Sequence, residues 1–287
     1  MPELPEVETI RRDLEELLAG RIFAKPEIRL PKMVKSDQEE FIKILSGSEI
    51  AGIDRVGKLL MFRLKDQSVS LHIHLKMTGQ LLYRSDDRFV AGGHPWPAMT
   101  LKLPHKYTHL IFPFTDGTKL YFNDLRQFGF ARLAREEEEG QVKQKFGLEP
   151  HGPEFTLDHF RSLLKGRKTI LKAFLLNQQL IAGLGNIYAD EVCFAARVRP
   201  DRTVDSLTPA EQERLYQACK DILNDAILHR GTTLHDYVDG KGEPGGYAKL
   251  LKVYGRQDQP CLHCKTGTIT KLRLAGRGTH FCPNCQK

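Results

Sequence analysis

Four of the six cysteines form two C-x-x-C pairs near the end of the chain. The first pair is Cys261 and Cys264, the second is Cys282 and Cys285, and seventeen residues separate the pairs. Each pair can offer two thiolates to one tetrahedral ion, and a gap of this length suits a β-ribbon. The spacing therefore predicts a site for one structural zinc ion. A pair of disulfides is the alternative interpretation.

The segment around these cysteines carries the excess positive charge. Residues 247–287 contain eight Lys or Arg and one Asp, a net charge of +7, which equals the net charge of the whole 287-residue chain. A metal-braced basic tail indicates a polyanionic partner, most simply nucleic acid.

A second candidate for chemistry lies at the opposite end, where proline follows the initiator methionine. Proline is small enough for that methionine to be removed, so we expect Pro2 to carry a free secondary amine. An α-amino group has a pKa of about 8, so a useful fraction is nucleophilic at neutral pH. Attack on an aldehyde-like carbon gives an iminium, and Glu3 could serve as the adjacent acid. A frayed terminus ahead of a helix is the alternative.

The elements that must position these residues differ between the two halves of the chain. Pro5–Ala19 is predicted as an amphipathic helix that ends at Gly20. Runs of β-branched and aromatic residues then predict strands within Ala51–Leu64, Ser68–Tyr83, His109–Phe114 and Lys119–Phe122. We expect residues 84–107 to be an irregular excursion, and Glu136–Glu139 to be a solvated helix face.

Beyond a turn-rich stretch at residues 149–153, the pattern becomes helical. Helices are predicted over Leu157–Leu164, Thr169–Leu176, Asn186–Ala195 and Thr208–His229, the last opening with a capping box. We therefore predict an α+β protein with a domain at 1–148, a linker at 149–155, a helical domain at 156–250 and a metal ribbon at 251–287. No apolar run approaches the roughly 20 residues of a membrane span, and the acidic N-terminus does not resemble a signal peptide. We expect no membrane partner.

Motifs along nearly the whole chain resemble those of bacterial formamidopyrimidine-DNA glycosylases, which remove 8-oxoguanine and ring-opened purines. The matching segments are Met1–Arg12, Val56–Lys58, His74–Gly79, Asp124–Gly129, Ala182–Tyr188, Val253–Arg256 and the two cysteine pairs. The resemblance implies a β-sandwich domain with an N-terminal helix, a helix–two-turn–helix domain and a four-cysteine zinc finger. It also implies a cytoplasmic, nucleoid-associated monomer that acts on damaged double-stranded DNA as a glycosylase and abasic-site lyase.

The resemblance assigns catalytic roles to four residues. Pro2 would attack C1′ of the damaged nucleotide and form a Schiff base, and Glu3 would assist opening of the deoxyribose ring. Lys58 would help the β-elimination that cuts the strand. Arg277, in the turn region between the cysteine pairs, would grip the phosphates around the lesion and is linked to δ-elimination.

The resemblance also assigns contacts with DNA. Met77, Arg126 and Phe128 would fill the void left when the damaged nucleotide is flipped out of the duplex. Asn186 would bind a phosphate near a helix N-terminus. Arg167, Lys168 and Lys172 are candidate phosphate or pocket contacts, and residues 232–247 match a lesion-recognition loop.

The chain departs from the family pattern in three places. Seventeen residues, where the family typically has sixteen, separate the cysteine pairs, so the turn could be enlarged or Arg277 displaced. Tyr107 stands where the family has a phosphate-binding histidine, and the excursion at 84–105 is longer than usual.

Two other functions remain open on sequence grounds. An endonuclease VIII-like enzyme for oxidised pyrimidines is one, although Leu4 and the full-length 232–247 loop argue against it. A non-catalytic DNA-binding zinc protein is the other, and it would leave Pro2 and Glu3 without a purpose.

Overall fold

The computed structural model describes residues 2–85, 89–93, 103–232 and 245–287. The chain divides into two compact units. The first comprises Met1–Gln144 with His229–Ala248, and the second comprises Lys145–Leu228 with Lys249–Lys287.

Two antiparallel sheets form the framework of the first unit. The four-stranded sheet has the order β2 (Ile50–Val56), β3 (Leu59–Leu64), β4 (Val69–His74) and β9 (Phe130–Arg135). The five-stranded sheet has the order β1 (Glu27–Ile28), β7 (Thr108–Pro113), β8 (Lys119–Asp124), β5 (Gly79–Arg84) and β6 (Phe89–Gly93). Side chains from both sheets, among them Phe62, Ile73, Phe112 and Phe122, share one buried apolar cluster. This arrangement confirms the predicted sandwich.

Three α-helices complete the described part of the first unit. Helix α1 (Leu4–Leu18) buries Val7, Ile10 and Leu14 in the sandwich core and packs against β2, β3 and β6. Helix α2 (Gln38–Leu45) is capped by Asp37, whose side chain accepts the amide of Glu40. Helix α3 (Glu136–Gln144) contains the acidic run. That run is more than a solvated face, because Glu139 contacts Ser70 of β4.

The structure divides two of the predicted strand-rich stretches into separate strands. Within 51–64, Val56 pairs with Leu59 across a two-residue turn. Within 68–83, residues 75–78 separate β4 from β5, which belong to different sheets. Positive φ angles of 56° at Gly57 and 54° at Lys76 mark these breaks. Both breaks fall within motifs that carry predicted site residues.

Four helices and a ribbon form the described part of the second unit. They are α4 (Leu157–Leu164), α5 (Leu171–Leu176), α6 (Asn186–Ala195), α7 (Pro209–Leu228), β10 (Thr270–Leu274) and β11 (Arg277–Phe281). As predicted, a capping box opens α7: Glu211 accepts the amide of Thr208 at 2.8 Å. Strand β11 packs against α6. In neither unit is a described helix both long enough and apolar enough to cross a membrane.

The segment His229–Ala248 groups with the first unit, whereas the sequence assigned it to the helical domain at 156–250. The reason is a set of polar contacts with α1. Arg230 binds both carboxylate oxygens of Asp13, at 2.8 and 2.7 Å, and the amide of Thr232 donates to Glu6 at 2.8 Å. The predicted lesion-recognition loop falls mostly on residues 233–244, outside the described residues. The other domain bounds stay a prediction.

A buried histidine gives the first unit a dependence on pH. His72 on β4 is fully buried, pairs across the sheet with Arg132 of β9, and has its Nε2 3.7 Å from a carboxylate oxygen of Glu139. Burial and the charge of Arg132 lower the pKa of His72 to about 4, against the opposing effect of Glu139. Between about pH 4 and pH 6.5, His72 is therefore less protonated in the folded protein than in the unfolded chain.

We predict that acidification from pH 7 to pH 5 removes about 2 kcal/mol of unfolding free energy through His72 alone. The stability that this group contributes is present above pH 6.5 and is lost as the pH falls towards 4. In His72→Leu the difference in unfolding free energy between the two pH values, measured by urea denaturation, should shrink by that amount. Arg132→Gln should shrink it in part. An unchanged difference in His72→Leu would contradict the prediction.

Candidate active site

Pro2 and Glu3 are buried at the start of helix α1, so the predicted nucleophile and acid are not a frayed end. Glu3 is the N-cap residue, and its amide donates to Oε2 of Glu6 at 2.7 Å. The other oxygen of the same carboxylate, Oε1, accepts the amide of Thr232 at 2.8 Å. Glu6 thus fixes the backbone beside Pro2 and the segment that starts at His229. No pattern in the sequence singles out Glu6.

Lys58 is the second residue of the two-residue turn between β2 and β3. The positive φ of Gly57 suits the first position of such a turn, where glycine carries no steric penalty. Lys58 is only 7% exposed, which is unusual for a lysine in a hairpin turn. A surface lysine, the ordinary expectation for this position, is therefore excluded.

His74 is a neighbour of Lys58 that stands out in the sequence only as part of a motif. Burial, followed by the charges of Lys76 and Lys58, lowers the pKa of His74 to about 3. The amide of Lys76 donates to Nδ1 at 3.0 Å, so the neutral ring carries its proton on Nε2. His74 is therefore a neutral hydrogen-bond donor at neutral pH.

The structure brings Met77, Arg126 and Phe128 together, as the sequence prediction of a void-filling group requires. Nη1 of Arg126 lies 3.0 Å from Sδ of Met77, and its guanidinium lies 4.8 Å from the ring centroid of Phe128. Phe128 is 55% exposed although it is large and apolar, and the adjacent Leu125 is 38% exposed. A cation surrounded by exposed apolar side chains suits insertion into a base stack.

Asp124 holds the two loops that carry this group. It is fully buried, and its carboxylate accepts the amides of Gly129 at 2.6 Å and Arg126 at 3.1 Å. It also accepts the hydroxyl of Thr78, in the loop of Met77. Asp124 opens one of the matching motifs, but pattern alone gave it no role.

Tyr107 lies at the edge of the same region. Its carbonyl accepts the amide of Asp124 at 3.0 Å, and its half-buried ring meets His105 edge to face. His109 is buried, with Nε2 2.8 Å from the carbonyl oxygen of Asp124. These contacts account for the position of the Tyr107 backbone, and a phosphate contact by its side chain stays a prediction.

In the second unit, Asn186 and the ribbon that carries Arg277 are in contact. Asn186 is the first residue of α6, and its Nδ2 donates to the carbonyl of Gly278 at 3.0 Å. Arg277 is exposed and directly follows a two-residue turn formed by Ala275 and Gly276. The turn is therefore not enlarged, and the additional residue between the cysteine pairs lies elsewhere.

Lys172 needs a correction, because the structure buries it completely. Its ammonium donates to Asp190 at 2.5 Å and to the carbonyl of Asn186 at 2.9 Å. The second oxygen of Asp190 accepts the amide of His280 at 2.7 Å. Lys172 thus belongs to an internal ion pair that joins α5, α6 and β11, and it is not a direct phosphate contact.

Arg167 and Lys168 are exposed on the segment that follows α4. Nε of Arg167 donates to the carbonyl of Leu163 at 2.6 Å, so this side chain is held against the end of the helix. The two cations remain available to a polyanion, and their contact with DNA stays a prediction.

The four tail cysteines lie together, with their sulfur atoms all within 4.8 Å of one another. The Sγ atoms of Cys261 and Cys285 lie 3.7 Å apart, and those of Cys264 and Cys282 lie 3.8 Å apart. A disulfide bond is about 2.0 Å long, so the cysteines are not joined by disulfides in this structure. Tetrahedral coordination with Zn–S bonds of about 2.3 Å requires sulfur–sulfur distances of about 3.8 Å. The donor set fits zinc, and four thiolates leave no position for a reactive water.

Comparisons with known proteins cover the whole chain. Residues 1–131 match the formamidopyrimidine-DNA glycosylase N-terminal domain, and residues 146–238 match the H2TH domain of the same enzymes. Residues 258–287 match a zinc finger found in FPG and IleRS. Together with the sulfur geometry, this match establishes the tail as a structural zinc site. The formamidopyrimidine-DNA glycosylase of Listeria monocytogenes is 42% identical over 290 residues, with all of both chains covered.

Solved structures of formamidopyrimidine-DNA glycosylases have the same fold as this chain. Fpg (MutM) of Lactococcus lactis, in complex with DNA containing N7-benzyl-Fapy-dG, superposes with a TM-score of 0.88 at 35% identity over all of both chains. A complex of the Lactococcus lactis protein with DNA containing an abasic site gives a TM-score of 0.87 at 34% identity over 99% of both chains. From its domains, its relatives and its fold, this chain belongs to the formamidopyrimidine-DNA glycosylase family.

Proposed function

We propose that this protein is a base-excision-repair enzyme that removes oxidised purines from duplex DNA and then cuts the strand at the abasic site. The observation that carries the proposal is the buried Pro2–Glu3 start of α1 in a chain that matches this family over its full length. Complexes of a Lactococcus lactis Fpg mutant with Fapy-dG DNA and of the Lactococcus lactis Fpg with abasic-site DNA support the substrate class.

The N-terminal amine is the proposed nucleophile once Met1 is removed. The nitrogen of Pro2 bonds to C1′ of the damaged nucleotide and loses its proton, while the electron pair of the glycosidic bond leaves with the base, which takes up a proton in exchange. Glu3 gives a proton to the ring oxygen as the C1′–O bond breaks, and the nitrogen lone pair forms an iminium. The positive nitrogen then draws electrons from C2′.

Strand cleavage proceeds from that iminium. Loss of a C2′ proton expels the 3′ phosphate in a β-elimination, and a second elimination expels the 5′ phosphate. Lys58 is the proposed aid to the first elimination, because it is a buried amine on an element packed against α1. Exposed Arg277 is proposed to hold the phosphates during the second.

Access to C1′ requires the nucleotide to leave the base stack. Exposed Phe128 and the adjoining Met77 are proposed to fill the hole, while Arg126 hydrogen-bonds the orphaned base on the opposite strand.

The zinc ion is proposed to contribute no reacting group. It fixes the ribbon that presents Arg277.

We also propose that the protein works as a monomer on chromosomal DNA in the bacterial cytoplasm. The bacterial source of its relatives supports this location. Size-exclusion chromatography with light scattering tests the oligomeric state.

Borohydride trapping separates the candidate functions. Duplex DNA that contains 8-oxoguanine opposite cytosine should give a covalent adduct with protein whose amine is free. Adducts formed on oxidised pyrimidines alone would favour the endonuclease VIII-like alternative. The absence of any adduct on either substrate would leave only a binding protein.

We predict that retention of Met1 abolishes both trapping and strand cleavage, because the nitrogen of Pro2 is then an amide. Pro2→Gly should retain part of the trapping, since a primary α-amine still forms an imine. Adduct formation on gels, with intact-mass analysis of the N-terminus, measures both effects. Undiminished cleavage by the Met1-retaining protein would refute the role of Pro2.

We predict that Cys261→Ser loses zinc and duplex affinity together, with affinity reduced on the order of tenfold or more. Cys261 is fully buried within the sulfur cluster, so its loss releases the ribbon that carries Arg277. Atomic emission reports the zinc content and fluorescence anisotropy reports binding. Zinc restored to chelator-treated wild type provides the control. Unchanged affinity without zinc would separate the metal from DNA recognition.

We predict that Asp124→Ala lowers excision of a duplex lesion about tenfold or more, because the buried amide of Gly129, the amide of Arg126 and the hydroxyl of Thr78 lose a shared acceptor. Trapping on a single-stranded abasic site should be retained, since no base has to be displaced there. Asp116→Ala, in an exposed turn, is the matched control. Equal losses on both substrates would show that Asp124 does not act through the void-filling loops.

A further inference from the structure

We propose that Arg55 and Glu8 are positioning residues for Lys58, since their buried ion pair holds the turn of Lys58 to helix α1, which directly follows Pro2 and Glu3. The inference rests on the proposed function, which gives Lys58 its part in strand cleavage. Neither residue belongs to the groups expected to touch DNA.

Glu8 is the anchor on helix α1. The residue is 6% exposed, and its Oε2 accepts Nε of Arg55 at 3.0 Å. Arg11 and Arg12 donate to Oε1 at 3.1 and 2.8 Å. Burial by itself raises the pKa of Glu8, but the hydrogen bond from Arg11 and the charge of Arg55 outweigh it and lower the pKa to about 2. The carboxylate is therefore ionised throughout the pH range in which the enzyme works.

Arg55 connects Glu8 to the turn that contains Lys58. Its side chain is 3% exposed, and while Nε binds Glu8, Nη1 donates to the carbonyl of Gly57 at 2.8 Å. Gly57 directly precedes Lys58. One planar guanidinium thus contacts α1 and the turn through separate nitrogens, a geometry that a lysine ammonium does not reproduce.

The neighbouring arginines do not make the same connection. Arg12 binds the same carboxylate but is 55% exposed and lies on α1 itself. Arg11 reaches the carbonyl of Ile53 on β2 at 3.0 Å, four residues before the turn. Among these three arginines, only Arg55 contacts the turn backbone. Because Lys58 follows that contact directly, a small shift of the turn displaces its ammonium.

The experiment measures strand cleavage at an abasic site in duplex DNA under single-turnover conditions with saturating protein, beside borohydride trapping on the same DNA. Arg55→Lys should slow β-elimination about tenfold, in line with the sensitivity of catalysis to small misplacements. Trapping should be retained, because the Pro2 amine is unchanged. Arg12→Lys is the matched control and should stay within about twofold of wild type.

A double-mutant cycle with Lys58→Ala distinguishes positioning from a general loss of structure. In the Lys58→Ala background, Arg55→Lys should cause no further slowing, because the group that it positions is gone. Multiplicative effects of the two substitutions would overturn the proposal. So would full cleavage activity of Arg55→Lys when Lys58→Ala is impaired.

Cleavage by Lys58→Ala and trapping by the wild-type protein distinguish failure of this inference from failure of the proposed function. Normal cleavage by Lys58→Ala would remove the role of Lys58 and this inference with it, while wild-type trapping would still establish the Pro2 chemistry. If Arg55→Lys does not fold, Glu8→Gln tests the same link from the helix side. It keeps the shape of the side chain, removes its charge, and should slow cleavage only when Lys58 is present.

Discussion

Pro2, the proposed nucleophile, has almost no backbone before it, so its position depends on the residues after it. Here those residues are held in two ways. Leu4 and Val7 are buried in the core, and the carboxylate of Glu6 accepts the amides of Glu3 and Thr232. A buried carboxylate costs free energy unless donors surround it, so these contacts stabilise the side chain as well as the backbone. The first turn of α1 is therefore held in place by its own side chains and by the segment at Thr232.

Features that depend on neighbours in sequence could be predicted from the sequence. Helix α6 has the predicted bounds Asn186–Ala195, and the cysteine pairs meet at metal-binding distances. The break at residues 75–78 was missed, because β-branched and aromatic residues continue on both sides of it. Site residues that arise from long-range pairing, such as Arg55 with Glu8, have no sequence signature of their own.

Lys172 shows why charge alone misleads when only the sequence is read. It lies near exposed Arg167 and Lys168 along the chain, and all three looked equally suited to phosphate. Its partner Asp190 lies eighteen residues later, and His280 ninety residues beyond that. Removing one member of such a buried set leaves the others uncompensated, so these residues hold α5, α6 and β11 together.

The shared carboxylate of Glu6 has a thermodynamic consequence. Since one side chain serves both the N-terminal turn and the segment at Thr232, the order of each depends on the order of the other. Linkage is reciprocal, so whatever fixes one of them lowers the free energy needed to fix the other by the same amount. The residue at position 231 affects this coupling, because it lies against the carboxylate of Glu6. Gly231 has a φ of +82°, and a Cβ there would lie 2.8 Å from Oε1 of Glu6. A larger residue at position 231 would therefore disturb Glu6, and through it the backbone beside Pro2, without contacting Pro2 itself.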